Sequence, residues 1–536
     1  MTHRLLSICL FVCFLASKSL YAQVDAQALA DHGLTTHWRA SIGGVGLKNG
    51  DVSLRLWIAR KTKAEVYTVL LKASVQESRV NSLYPDVRIK SLSEDGTGAK
   101  FVKLSDEVRS SGRRSSELWY VLEQFKTTDT DWIKQETSVD AEIAKLGATG
   151  ARAMAEKLAE TYRKTNREVE IISETAESVY LVAINRNGLI SCIDAETGSI
   201  YWQNQLPRYD LNVLGPGVSD DYVAAVNGNH LVVYGLEQGN LVSTQRLQFV
   251  STGELLVWKD RVLVPSAGGR VVSYSAVDPT FTPKVIRIGL ENRKTLVPSN
   301  DPLFFGWVTD HRLIIAKHDE VPRLWTAVDA ETVIPGSPVA VDNGFVMASE
   351  FGSLIKANLT SNNSVSWRRK FGIPTNNSPV VGPKHVALVS QNGLLLAADL
   401  ETGQDVWRRP IAGIAKVLNV TEDYLYAVDQ AGKLAVISME SGVLLGRIAI
   451  GRFQGITNNI NDRILLVSEL GELVCLREIS SARPVYTTSK MLNEEESATR
   501  SYSPGTSPGE MQTDEFPPYE TEKKTEELSI FDPFAG

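Results

Sequence analysis

Between residues 166 and about 478 the chain alternates short apolar runs with polar turns, and the alternation keeps a fixed period. Residues 378–411 show the unit: Ser378-Pro-Val-Val, then His385-Val-Ala-Leu-Val-Ser390, a Gln-Asn turn before Gly393, Leu394-Leu-Leu-Ala-Ala-Asp399, and Asp405-Val-Trp-Arg-Arg-Pro410. Runs of this length, aliphatic and β-branched and bounded by Asn, Gly and Pro, predict strands joined by tight turns. The turn position recurs at Gly188, Gly228, Gly269, Asp310, Gly352, Gly393, Gly432 and Gly471, 39 to 42 residues apart. Eight repeats of three or four strands leave no room for a helix within a repeat. A single small sheet cannot bury both of its faces alone, so neighbouring sheets must stack, and radial stacking gives a β-propeller of eight blades.

Residues 50–165 do not repeat. Strand-like runs at 52–58, 65–71, 86–90 and 117–122 precede a helical pattern in which Ala151, Met154, Leu158 and Tyr162 fall on one face, beyond a shorter helix at 140–146. This reads as a small α+β module inserted before the propeller.

The eighth repeat lacks an outer strand. Far upstream, His37-Trp-Arg-Ala-Ser-Ile42 resembles the outer strands Val406-Trp-Arg-Arg-Pro-Ile411 and Ser366-Trp-Arg-Arg-Lys-Phe371. The expectation is that residues 33–45, with Trp38 at their centre, complete the last blade and hide its edge.

Charge and composition change the picture at the two ends. Residues 1–22 carry a basic start, an apolar stretch and Ala22 before Gln23, the pattern of a secretory signal peptide, and no later run is long enough to span a membrane. Residues 491–536 hold eleven acidic and three basic residues, a net of −8 against −7 for the whole chain. That composition predicts a disordered acidic tail. The body left over is near neutral, which argues against a nucleic-acid partner. Beyond the signal segment only Cys192 and Cys475 remain, both four residues past a turn glycine, and both are expected as small buried thiols rather than a disulfide.

The connector after the third strand is the most regular motif. In Asp194-Ala-Glu-Thr-Gly198 the carboxylate can accept from the amides of its own turn, and glycine takes the positive φ that other residues resist. Trp202 follows four residues later, as Trp407 follows Gly403 in Asp399-Leu-Glu-Thr-Gly403, and a ring at that place can cover the next blade. Here the chain resembles the PQQ-like repeat family, whose tryptophan docking motif is Ala-x-Asp-x-x-x-Gly-x-x-x-Trp. Ala397 through Trp407 match every fixed position, Cys192 through Trp202 match with Cys for Ala, and Trp367 marks a degenerate fifth copy. The fold expected is therefore all-β: an eight-bladed β-propeller of PQQ-like repeats (166–490) with an inserted N-terminal α+β module (50–165) and a disordered acidic C-terminal tail (491–536).

Catalytic chemistry leaves little trace. There is no His-Glu-x-x-His, Cys-x-x-Cys, Gly-x-Ser-x-Gly or phosphate-binding Gly-x-x-x-x-Gly-Lys. His311 and His318 flank one strand without a third ligand, short of a zinc site. The resemblance implies either a quinoprotein dehydrogenase holding pyrroloquinoline quinone and calcium, or a non-enzymatic scaffold like BamB-type subunits of the outer-membrane assembly machine. Quinone-binding members commonly carry adjacent cysteines, and this chain has no Cys-Cys pair. The expected function is an exported, periplasmic or extracellular, monomeric propeller that binds a protein partner in the cell envelope, with no catalytic residue, cofactor or metal. A quinoprotein dehydrogenase, or a propeller sensing a small ligand through its channel, are the alternatives.

Overall fold

The structure, a computed structural model, describes residues 24–43, 52–72, 87–92, 99–103, 117–126, 147–208, 212–287, 295–301, 303–318, 323–359, 364–481 and 484–487. The regions 1–22, 140–146 and 491–536, read from the sequence as a signal peptide, a short helix and an acidic tail, lie outside the described residues. Eight antiparallel sheets form the blades of a β-propeller. Blade 2 is typical: Val213–Val218 is innermost, followed outward by Tyr222–Asn227, His230–Gly235 and Leu241–Arg246.

The two middle strands of a blade explain why the repeats read as near-continuous apolar runs. Successive side chains point to opposite faces of a sheet. In blade 2, Val223, Ala225, Val232 and Tyr234 pack towards blade 1, while Ala224, Val226, Leu231 and Val233 pack towards blade 3. Both faces are buried, so both sets are apolar. The outermost strands, wet on one edge, alternate buried and exposed positions. Eight apolar clusters fill the gaps between successive sheets, each large side chain contributing about 1.5–3 kcal/mol on burial.

Blade 8 consists of Phe453–Ile456, Ile464–Ser468, Glu472–Glu478 and, outermost, the N-terminal strand Leu34–Ser41. That strand runs antiparallel to Glu472–Glu478, with Leu34 opposite Glu478, Trp38 opposite Cys475 and Ser41 opposite Glu472. A short helix before it, α1 (Ala26–Ala30), is capped by the Asp25 carboxylate and buries Leu29 in the gap between blades 7 and 8. Trp38 and Ile42 pack with Leu465 and Leu473 of blade 8 against Val179, Leu181 and Ile193 of blade 1.

Blade 1 differs from the others. Its innermost strand is the first part of Val52–Lys72, a 21-residue strand whose residues 52–59 pair with 178–185 in the blade. After a register shift between Ala59 and Lys63 the same two strands continue, pairing 63–71 with 169–177. Beyond the blade, Glu117–Lys126, Val87–Leu92 and Ala99–Lys103 add to this extension, so blade 1 and the module form one seven-stranded sheet. The innermost strand of blade 1 thus comes from residues that the sequence groups with the module. The module itself grows from the turn between the first two strands of that blade.

A helix, α2 (Gly147–Arg163), covers this extension. Ala155 and Ala159 are fully buried against Val69, Leu71 and Val169, flanked by Leu158 and Tyr162. Met154, placed on the apolar face by spacing, is 39 % exposed. Small alanines let the helix lie close to the sheet, and the buried stripe is rotated towards them. Cys192 and Cys475 are buried free thiols, and burial raises both pKa values. No helix among the described residues is long and apolar enough to cross a membrane.

Candidate functional site

Two parts of the ring carry side chains whose arrangement goes beyond packing: the turns at which adjacent blades lock, and the central channel.

In the lock, Asp194 Oδ1 accepts from the backbone N–H groups of Glu196 (2.8 Å) and Thr197 (3.0 Å), and its Oδ2 accepts from the Tyr201 hydroxyl at 2.7 Å. Burial, then the Asp194 charge, pushes the Tyr201 phenol far up. Asp399 Oδ1 accepts likewise from the N–H groups of Glu401 (3.1 Å) and Thr402 (2.8 Å) and from the Thr402 hydroxyl (2.7 Å). Burial opposes its charge, but these donors outweigh it and hold the carboxyl below the usual range. The turns so fixed place Gly198 and Gly403 at φ +73° and +70°. A Cβ at Gly198 would lie 2.8 Å from the Trp38 ring, and one at Gly403 2.7 Å from the Trp367 ring. Glycine is required twice over, for the backbone and for the ring laid against it.

Each ring comes from the preceding blade. Trp38 Nε1 donates to the Ala195 carbonyl at 2.8 Å, Trp202 to Leu236 at 2.7 Å, Trp367 to Leu400 at 3.0 Å and Trp407 to Met439 at 2.7 Å. The structure therefore gathers Trp38 with Asp194 and Gly198, and Trp367 with Asp399 and Gly403. Trp202 and Trp407 leave their own turns and lie on Gly239 and Gly442. The Asp, Gly and Trp of one repeat serve two different seams.

Two substitutes were not legible as such. Ser243, third in its outer strand where Trp202 and Trp367 stand in theirs, donates to the Ala276 carbonyl at 2.6 Å. At the same place in blade 7, Gly446 faces the imidazole of His32, supplied by the N-terminal segment. A glycine at a tryptophan position was the available signal that another side chain fills the gap.

The central channel holds two adjoining cavities. One, of about 480 Å³, is polar and bordered by the innermost strands and the residues leading into them. Glu254, Thr295, Ser337 and Ser378 each stand two residues before the innermost strand of blades 3, 4, 5 and 6, so the radial repeat sets them in an arc about the axis. Arg55 of blade 1 and Lys416 of blade 7 also line it. Burial lowers the pKa of both, and the Glu254 charge works against that shift at Arg55. The second cavity, about 270 Å³, is mainly apolar, with Trp57, Ile58, Pro298, Val339, Ile456 and Ile460 among its walls.

The loop 457–463 of blade 8 folds across this end of the channel. Thr457 donates to the Val417 carbonyl at 3.0 Å, Asn419 to that of Asn461 at 2.6 Å, and Asn459 Oδ1 reaches past blade 7 to accept from Val381 N–H of blade 6 at 3.0 Å. Lys416 Nζ donates to Gly455 O at 2.9 Å. Among the described residues no group of three or more His, Cys, Asp or Glu stands close enough to hold a metal ion. His311 and His318 lie at opposite ends of the strand Arg312–Lys317, the first half-buried beside Asp329 and the second buried.

A family model described as outer membrane protein assembly factor BamB matches residues 137–280 and 315–501, more than half of the chain. Similar solved structures include BamB from Moraxella catarrhalis, 16% identical, covering 56% of this chain and 93% of that one with a TM-score of 0.43. Another is the C-terminal WD40 domain of Sif2, 12% identical, covering 56% of this chain and 92% of that one, TM-score 0.39. No curated protein matches the chain significantly.

Proposed function

The chain belongs to the family of the outer membrane protein assembly factor BamB, and from that premise we propose that it is an exported, non-enzymatic propeller scaffold that holds a protein partner in the cell envelope. The observation that carries the reading beyond the family is the continuation of the blade 1 sheet beyond the ring. Two long strands run out of the ring and acquire three further strands and a helix, so an added surface is built directly on blade 1. Binding surfaces are commonly built in this way, on insertions positioned by a scaffold. The ring below it is stiffened by tryptophans that tie each donor blade to the next, which suits a platform better than a moving enzyme.

The test uses the full chain and a variant in which residues 60–177 are replaced by Asn-Gly, joining Ala59 to its register partner Ser178. Each is expressed in the host with an affinity tag, cross-linked in intact cells and purified. The reading expects both chains in the envelope fraction and a defined partner cross-linked to the full chain and lost from the variant. Retention of the same partner by the variant, recovery of the chain from the cytoplasm, or quinone-dependent dye-linked alcohol oxidation by the purified protein would overturn it.

A further inference from the structure

We propose that the polar cavity of the central channel is a binding site for a small polyhydroxylated carboxylate, a molecule of the sugar-acid class. This goes beyond the scaffold reading and does not depend on it. The cavity, about 480 Å³, lies within the range of small-molecule sites. Arg55 and Lys416 bring two positive charges to its lining, and Glu254 is the acid among the described lining residues.

Arg55 is half-buried, and no side-chain hydrogen bond engages its guanidinium among the described residues; its electrostatic partner is Glu254. A guanidinium presents five donors in a planar fork suited to a carboxylate. Lys416 commits one donor to Gly455 O and has two more. Both cations have surrendered part of their hydration, which an incoming anion would repay.

The arc of Thr295, Ser337 and Ser378 calls for hydroxyl groups. Thr295, Ser337 and Ser378 recur at one radial position, each able to donate and accept, and the Thr295 hydroxyl points at Glu254 Oε2, 3.3 Å away. Glu254 accepts only, so it favours a ligand that brings O–H donors and disfavours one with a second carboxylate. With Arg55, Lys416 and Glu254 charged, a ligand bearing a single carboxylate brings the summed charge of these groups and the ligand to zero.

Calorimetric titration of the full chain with gluconate and glucuronate, with glucose and acetate as the two halves of that chemistry, tests the assignment. Expected is binding of the sugar acids below about 1 mM, at least about tenfold weaker binding of glucose and of acetate, and at least about tenfold weakening in Arg55→Met. Lys416→Gln provides the same reading should Arg55→Met fail to fold, as checked by circular dichroism. Absence of sugar-acid binding up to about 10 mM, equal binding of glucose or acetate, or undiminished binding by a folded Arg55→Met or Lys416→Gln chain would overturn the proposal.

Discussion

His318 is 4 % exposed and lies flat against Trp258, ring centroids 4.3 Å apart and planes within 6°, with Phe305 at 4.5 Å on another side. Burial, aided by the charge of Lys259, pulls its pKa down to about 3 from 6.5. The folded protein therefore resists a proton that the unfolded chain accepts readily. Stability is at its full value above about pH 6.5 and is lost as the pH falls from there towards 3, by about 1.4 kcal/mol per pH unit. His318→Phe keeps an aromatic ring in the stack and removes the titration. The variant is expected to lose about 2 kcal/mol less than the parent between pH 6.5 and 4.5, measured by urea unfolding at each pH. Identical pH profiles would mean that His318 takes up its proton in the fold as readily as in the unfolded chain. The sequence shows His318 beside a strand, but the stacking partner Trp258 comes from the neighbouring blade, and that pairing is set by the ring rather than by local spacing.

At the scale of elements, the module grows out of a hairpin. Because Ala59 and Ser178 are opposite one another in the sheet, the blade can be closed there by a two-residue turn, leaving Ile58, Val179 and Leu181 in the core between blades 8 and 1. The variant lacking 60–177 is expected to keep the β circular-dichroism spectrum and to unfold in one cooperative thermal transition. A collapse of that transition would show that the ring needs the module. The central strands were legible because both faces are buried and the apolar runs are continuous. The boundary of blade 1 was not, since its innermost strand, residues 52–59, precedes its neighbour by more than a hundred residues and carries no turn glycine of the repeat. The helix stripe was offset for a related reason: apolar spacing favours Met154, whereas close approach to the sheet favours Ala155 and Ala159. The polar cavity escaped notice because its residues occupy one short position in each of several repeats and converge only when the ring closes.

For the whole molecule, the decisive seam is the one between the two ends of the chain. Leu34–Ser41 supplies the outer strand of blade 8, and its Trp38, 7 % exposed, crosses to blade 1, donates to Ala195 O and covers Gly198. The other locks join blades that are already consecutive in sequence. This one closes the circle, and α1 with His32 fills the gap that Gly446 leaves beside it. The most direct measurement is the equilibrium urea unfolding of Trp38→Ala, with Trp325→Ala as control, since Trp325 makes the same type of bond to Leu359 O but is 40 % exposed. The account predicts a loss of about 3 to 5 kcal/mol for Trp38→Ala and a smaller loss for the control. A loss below about 0.5 kcal/mol for Trp38→Ala, the scale of a surface substitution, would contradict closure of the ring by the N-terminal strand.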